Sequence, residues 1–486
     1  MKKQLYVLSM MAAAALLSAC GGGNAPSGSL SAVSLSSVQT SATTTASGPQ
    51  AVAAKCALPT SDQVFGSVNA AALGFDQARL DAAFQYGARL GTTTMRVYRH
   101  GCLAAKSALD PVTAFVPQVL FSGSKSILSL AVGRAVTLGF LKLDDPIGQY
   151  LPEADAAHGA LTVRQLLNQT SGLQLVVADE AAALTTDPVA YTLALPFWYQ
   201  PGTEFMYAQN TLTTLSRVLE RATGMDYQAF TQQELMARVG IPRNRWVALR
   251  DRSANTFVWG GLLLRPDDEA RLGHLMLHQG KWGTEQLIST SYMSQATTGT
   301  TANPGYGFLL WLNSGDHYKA GSIGRPILVE QPLLPGSPHD TFGAMGAFGQ
   351  MTVVVPSRDL VFVRNGVADN TSTAENQDFQ ELIRQVIAAV NDMPQNTEPA
   401  PATYPTATSV FDAVSFDDFT DWRLIGTLLG VGAKATPGCS LLFCNGHNLV
   451  TDAAKLGADA VQQLLATVAA TAADLVRGEQ PSPVIE

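Results

Sequence analysis

One stretch constrains this chain more than any other: Leu120-Phe121-Ser122-Gly123-Ser124-Lys125-Ser126-Ile127, a small polar insert in an apolar run. The residues from Leu128 to Phe140 are dominated by Leu, Ala, Val and Gly, with Arg134 the single charge. A helix that is apolar nearly all round belongs inside a protein. The spacing therefore predicts a buried helix from Ser122 to about Gly139. Ser122 and Lys125, three apart at its start, would lie one above the other on one face. A buried lysine beside a hydroxyl needs either a partner or a chemical task.

Both readings of that pair are open on the residues alone. In one, Ser122 caps the helix and Lys125 is a surface residue. In the other, desolvation and the positive end of the helix dipole disfavour the ammonium. A neutral Lys125 can then take the proton of Ser122 and leave a nucleophile. The Ser122 N–H, free at the helix start, can donate to the oxyanion that forms. Of the ten lysines in the chain, Lys125 alone has serine three residues before it.

Periodicity supplies the surroundings. Phe75 to Arg89 has apolar residues at helical spacing. Thr93–Tyr98 and Cys102–Lys106 read as a hairpin turning at Arg99-His100-Gly101. Helical segments are expected at Val163–Leu167, Asn210–Ala222, Tyr227–Arg238 and Glu269–His278. A second hairpin, Met351–Val355 with Leu360–Arg364, precedes a helix over Asp378–Val390. Strands at both ends thus enclose a mainly helical middle, about residues 145–312. The expected fold class is α/β: an antiparallel sheet flanked by helices, with a helical domain inserted.

The ends differ from this body. Lys2 and Lys3 precede the apolar Leu5–Leu17, and Leu17-Ser18-Ala19-Cys20 closes the segment. This pattern reads as a signal peptide over 1–19, and it resembles the lipobox of bacterial lipoproteins, with Cys20 the lipidated residue. An ordinary cleaved signal is the alternative. Cleavage would take the net charge from −8 to −10. The lipobox implies an exported protein anchored to a membrane, facing the periplasm or the cell surface, with the outer membrane the expected one. Residues 20–54 read as a disordered tether reaching ~30 Å, and 55–392 as the folded domain. Residues 393–409 read as a Pro/Thr-rich linker. The segment 410–486, with an apolar patch at Leu424–Cys444 and a helical stretch at Ala453–Val476, carries no recognisable chemistry.

Export permits disulfides. Besides Cys20 the cysteines are Cys56, Cys102, Cys439 and Cys444. Pairing Cys56 with Cys102 and Cys439 with Cys444 keeps each bond within its own end of the chain; free thiols are the alternative. The negative charge argues against a nucleic-acid partner. His274 and His278 sit four apart on a helix, a metal-binding spacing, but no carboxylate motif accompanies them. No metal and no cofactor are expected, and there is no Gly-x-Ser-x-Gly elbow.

The order of motifs after Ser122 resembles that of the serine beta-lactamase-like hydrolases. That family includes class C beta-lactamases, D,D-peptidases, carboxylesterases and the 6-aminohexanoate-dimer hydrolase. The matching pieces are Ser122–Ser126, Gly139–Pro146, Tyr150–Pro152, Leu161–Leu167, Thr170–Leu173, Pro201-Gly202, Phe205–Tyr207, Trp259–Gly261 and Gly346–Gln350, followed by the hairpin Val353–Val361. They span roughly residues 70–392.

The resemblance implies an acyl-enzyme on Ser122, Lys125 as general base and Tyr207 as proton relay. A phenol beside a cationic lysine can pass a proton to the leaving group. Where the family has Tyr-x-Asn this chain has Gln209 in the third position, with Asn210 beside it as a possible substitute. The family's Lys-Thr-Gly or His-x-Gly motif falls on Ala347-Phe348-Gly349, so its cation is missing. The strand backbone there can still serve, with the N–H groups of Ser122 and Gln350 as the oxyanion hole. Phe348 would line an apolar pocket suited to an ester or a short apolar amide rather than a penicillin; Trp259 and Tyr306 either join it or are plain core. A beta-lactamase or D,D-peptidase is the alternative within the family, and a non-catalytic, hydrolase-like binding or sensor lipoprotein is the alternative from another class.

Overall fold

The computed structural model describes residues 54–393 except 62, 176–186, 252–253, 321–325 and 368–375, together with 443–444, 447–448 and 462. The signal segment, Cys20, the tether up to residue 53 and Cys439 lie outside the described residues. So do the linker beyond 393 and nearly all of the C-terminal segment.

Two hairpins generate most of a six-stranded antiparallel sheet. Helix α1 (Gln77–Arg89) is capped by the Asp76 carboxylate, which accepts from the Arg79 N–H. It leads into β1 (Thr92–Arg99) and β2 (Cys102–Lys106). His100 and Gly101 between them are both left-handed, the conformation that matches strand twist in a two-residue turn. After a short strand β3 (Gln118–Val119) comes the central helix α2 (Gly123–Thr137). Helices α3 (Val163–Leu167) and α4 (Asn210–Thr223) follow, then strands β4 (Val247–Ala248) and β5 (Leu262–Leu264). Next are α5 (Pro266–Leu277), α6 (Thr290–Ala296) and strand β6 (Trp311–Leu312). The chain then returns through β7 (Phe342–Gly346), β8 (Gln350–Val355), β9 (Leu360–Gly366) and α7 (Gln377–Ala388). Sheet order is β2-β1-β9-β8-β7-β6, and a second small sheet runs β3-β5-β4.

Alternation along the strands divides the sheet into two buried faces. On one, Met95 packs over Gly87 of α1, and the Arg364 guanidinium lies 4.8 Å from the Phe379 ring of α7. On the other, Tyr98 meets His274 of α5 edge-on at 5.6 Å, and Asn365 donates to Glu269 of α5 at 2.9 Å. With helices on both faces of an antiparallel sheet, the fold class is the α/β arrangement expected.

The helical middle is narrower than 145–312. Helix α5 lies on the main sheet, and Trp311–Leu312 joins that sheet as its edge, paired with Phe342 and Gly343. The expected helix over Tyr227–Arg238 divides into an α-helical turn (Tyr227–Thr231), a π turn and a 3-10 turn. Cys56 and Cys102 form a disulfide, with Cα atoms 5.1 Å apart. Among the described residues no helix is long and apolar enough to cross a membrane.

Candidate active site

Every residue of α2 from Gly123 to Ala135 is buried. Its serines are all hydrogen-bonded, and Arg134 is held through both of its terminal nitrogens. Ser124 accepts from the Leu262 N–H, Ser126 donates to the Leu309 carbonyl, and Ser129 bonds the Tyr292 hydroxyl of α6. Arg134 reaches the Leu287 carbonyl and Glu234. A buried helix tied to its neighbours by these hydrogen bonds is a rigid mount for whatever stands at its first turn.

At that turn stands Ser122, in the N-cap position but with helical φ and ψ of −61° and −15°, and its side chain makes no capping bond. Instead, Lys125 Nζ lies 2.9 Å from Ser122 Oγ. The capping alternative is therefore not what the geometry contains. Lys125 is 1 % exposed. Its Nζ also donates to the Trp259 carbonyl at 2.9 Å and lies 4.8 Å from the centre of the Tyr207 ring. The amine is thus removed from water and within hydrogen-bond reach of the Ser122 hydroxyl.

Tyr207 is buried in an aromatic cluster: Tyr306 edge-on at 6.0 Å, Trp311 at 5.7 Å and Phe205 at 6.3 Å. Burial, and then the neighbouring Tyr207, hold the Tyr306 hydroxyl well above the usual tyrosine range, so Tyr306 stays a neutral phenol. Gln209 is the N-cap of α4 and Asn210 its first residue; both are buried. Trp259 is half-buried, its ring 3.9 Å from that of Phe257. Its ring and its carbonyl both belong to the site, and the carbonyl role has no signature in sequence.

The third motif is placed differently from expectation. Ala347–Gly349 is not strand but the turn joining β7 to β8, with Phe348 and Gly349 both left-handed at φ 61° and 85°. Two consecutive left-handed residues reverse the chain, so the strand residue that reaches the nucleophile turn is Gly346. There a Cβ would collide with the Leu120 carbonyl oxygen. Gln350 opens β8 opposite Gly346, and its side-chain amide is taken up by the Gly366 backbone. Phe348 is half-buried, and its ring faces Phe121 at 5.1 Å. Phe121, immediately before Ser122, is itself left-handed at φ 46°. Sequence reasoning passed over this second strained phenylalanine.

His274 and His278 serve packing. The His274 ring lies 4.7 Å from that of Phe65, and Nδ1–H donates to the Ala270 carbonyl at 2.9 Å. Burial lowers its pKa to about 4, leaving a neutral core residue. Behind the Ser122 turn, Leu120, Gly123, Ser126, Ala344 and Glu269 line a small pocket. Desolvation raises the Glu269 carboxyl well above the usual range, against hydrogen bonds from Asn365 and Thr352.

Comparison with known proteins gives the family and the fold. The model of the Beta-lactamase family matches residues 80–385. A beta-lactamase of Escherichia coli K12 is 24% identical over 289 residues, which cover 52% of this chain and 76% of that one. Esterase EstB of Burkholderia gladioli is 31% identical over 196 residues, 34% of this chain and about half (49%) of the esterase. A candidate 6-aminohexanoate-dimer hydrolase from Bacillus anthracis superposes with a TM-score of 0.54 at 16% identity, covering 70% of this chain and 92% of that one. At that identity the likeness concerns fold.

Proposed function

The chain belongs to the beta-lactamase family and is a serine hydrolase, and we propose that it cleaves a small apolar ester or amide through an acyl-enzyme on Ser122. One observation carries the reading: a buried amine, Lys125 Nζ, lies 2.9 Å from a serine hydroxyl that has no capping role.

Neutral Lys125 takes the Ser122 proton as Oγ attacks the substrate carbonyl carbon. The Ser122 N–H at the helix start is one donor to the resulting oxyanion. The second comes from the backbone of the β7–β8 hairpin, where the family resemblance implies the Gln350 N–H. Collapse breaks the bond to the leaving group, which receives the proton by way of Tyr207. Water then attacks the acyl-enzyme by the reverse proton path and releases the acid. Gln209, Asn210, Phe348 and Trp259 border the substrate, and Gly349 sets the turn that presents Phe348.

Apolar substrates are preferred over penicillin-like ones because Ala347 offers no cation for a carboxylate and the walls are aromatic. A panel of p-nitrophenyl esters, linear amide dimers and a chromogenic cephalosporin tests this. Turnover concentrated in the esters or amides is expected; fast cephalosporin turnover would overturn the preference. The N-terminal Leu17–Cys20 pattern supports placing the enzyme on a lipid anchor in the periplasm or at the cell surface. Radiolabelled palmitate incorporation that survives Cys20→Ala would remove that placement.

A further inference from the structure

Arg364 is the single charge in the apolar run of β9, and its residue is fully buried. Burial lowers its pKa to about 10. Among the described residues no carboxylate pairs with it. Nη1 donates to the carbonyls of Phe348 at 2.8 Å and Gly349 at 2.7 Å. Nη2 donates to the Leu90 carbonyl at 2.6 Å, and Nε to the Thr92 hydroxyl at 3.0 Å. A buried charge without a counter-ion is costly, so what keeps it must lie in what it holds.

Two of its four acceptors belong to the left-handed turn after β7. A phenylalanine in that conformation is strained and persists only where the surroundings enforce it. The enforced ring of Phe348 meets that of Phe121, which is likewise left-handed and adjoins Ser122. A chain of contacts therefore runs from Arg364 through Phe348 to Phe121, the residue that precedes Ser122.

We propose that Arg364 is a positioning residue for substrate selection: by holding the Phe348 and Gly349 carbonyls it fixes the Phe121–Phe348 ring pair as one wall of the acyl site. The wall favours a medium-length apolar acyl group over acetyl. This rests on Ser122 being the nucleophile.

The test compares the full chain with Arg364→Met and Phe348→Ala on p-nitrophenyl hexanoate and p-nitrophenyl acetate. Melting curves and fluorophosphonate labelling of Ser122 accompany each assay. The intact chain is expected to prefer hexanoate. In both variants the hexanoate-to-acetate ratio of kcat/KM falls about tenfold, chiefly through the KM for hexanoate. Low concentrations of guanidinium restore part of the ratio in Arg364→Met and none in Phe348→Ala. A folded, labelled Arg364→Met with an unchanged ratio overturns the proposal. So does an unchanged ratio in Phe348→Ala, which decides the matter if Arg364→Met does not fold. An intact chain that takes no label fails at the nucleophile reading itself, and the missing label tells that failure apart.

Discussion

The two sides of the catalytic cleft are built on opposite plans. On the nucleophile side, Ser122 and Lys125 stand on the first turn of a buried helix whose serines are all hydrogen-bonded and whose backbone is regular. On the other, the β7–β8 turn carries two left-handed residues, a half-exposed phenylalanine and no side-chain cation, with Arg364 buried beneath it. The first side is held by packing and is specific for a reaction. The second is held by a few hydrogen bonds to carbonyls and is specific for a substrate. Chemistry demands one geometry, whereas substrate choice can be reset by remaking one turn.

Breaking the nucleophile side should have the largest effect. Lys125→Met keeps the buried volume but removes the base, so ester turnover should fall about 10³-fold. Stability should hold or rise, because an apolar side chain replaces a desolvated amine. Kinetics paired with melting curves checks both. Gly346→Ala strikes the seam between the two sides. The added methyl meets the Leu120 carbonyl, so the strand must retreat from Ser122. A displacement of that kind costs about 10²-fold in kcat/KM.

How much of this was legible in sequence follows the same division. Ser122 and Lys125 announced themselves because a polar pair at the start of an apolar helix violates the local pattern. The two hairpins and most of the longer helices followed from period, whereas the short strands and Phe342–Gly346, with two glycines in five residues, carry too little alternation to be read. The turn at Ala347–Gly349 did not, because left-handed backbone at Phe348 leaves no mark in residue type. Arg364 left a mark, a lone charge in an apolar strand, but its partners are carbonyls, which sequence does not show. The lysine contact at Trp259 was hidden for the same reason.

Smaller effects sharpen the comparison by sparing the cleft. Replacing Cys56 and Cys102 with serine opens a loop of 46 residues and should cost about 2–4 kcal/mol. The bond sits at the hairpin tip where Arg99 pairs with Leu360, whereas the site lies at the other strand end, where Thr92 pairs with Gly366. Strands of that length separate the two by about 20 Å. Ester selectivity should not move, as the hexanoate-to-acetate ratio will show.

The smallest effect concerns Glu269, behind the nucleophile turn. Burial raises its folded pKa above the unfolded value, so its contribution to stability is present in acid and is lost as pH rises through the folded value. Glu269→Gln keeps a neutral group able to bond Thr352 and Asn365. Its melting temperature should therefore decline less than that of the intact chain as pH is raised from the acid range. An identical decline in both would remove Glu269 from the account.

The central claim is that Ser122 is an activated nucleophile. A fluorophosphonate probe reacts with such a serine and leaves an ordinary one untouched. The account predicts stoichiometric labelling of the intact chain, mapped to the Ser122 peptide and abolished in Ser122→Ala. Absence of labelling in the intact, folded chain, or labelling that persists in Ser122→Ala, would contradict it.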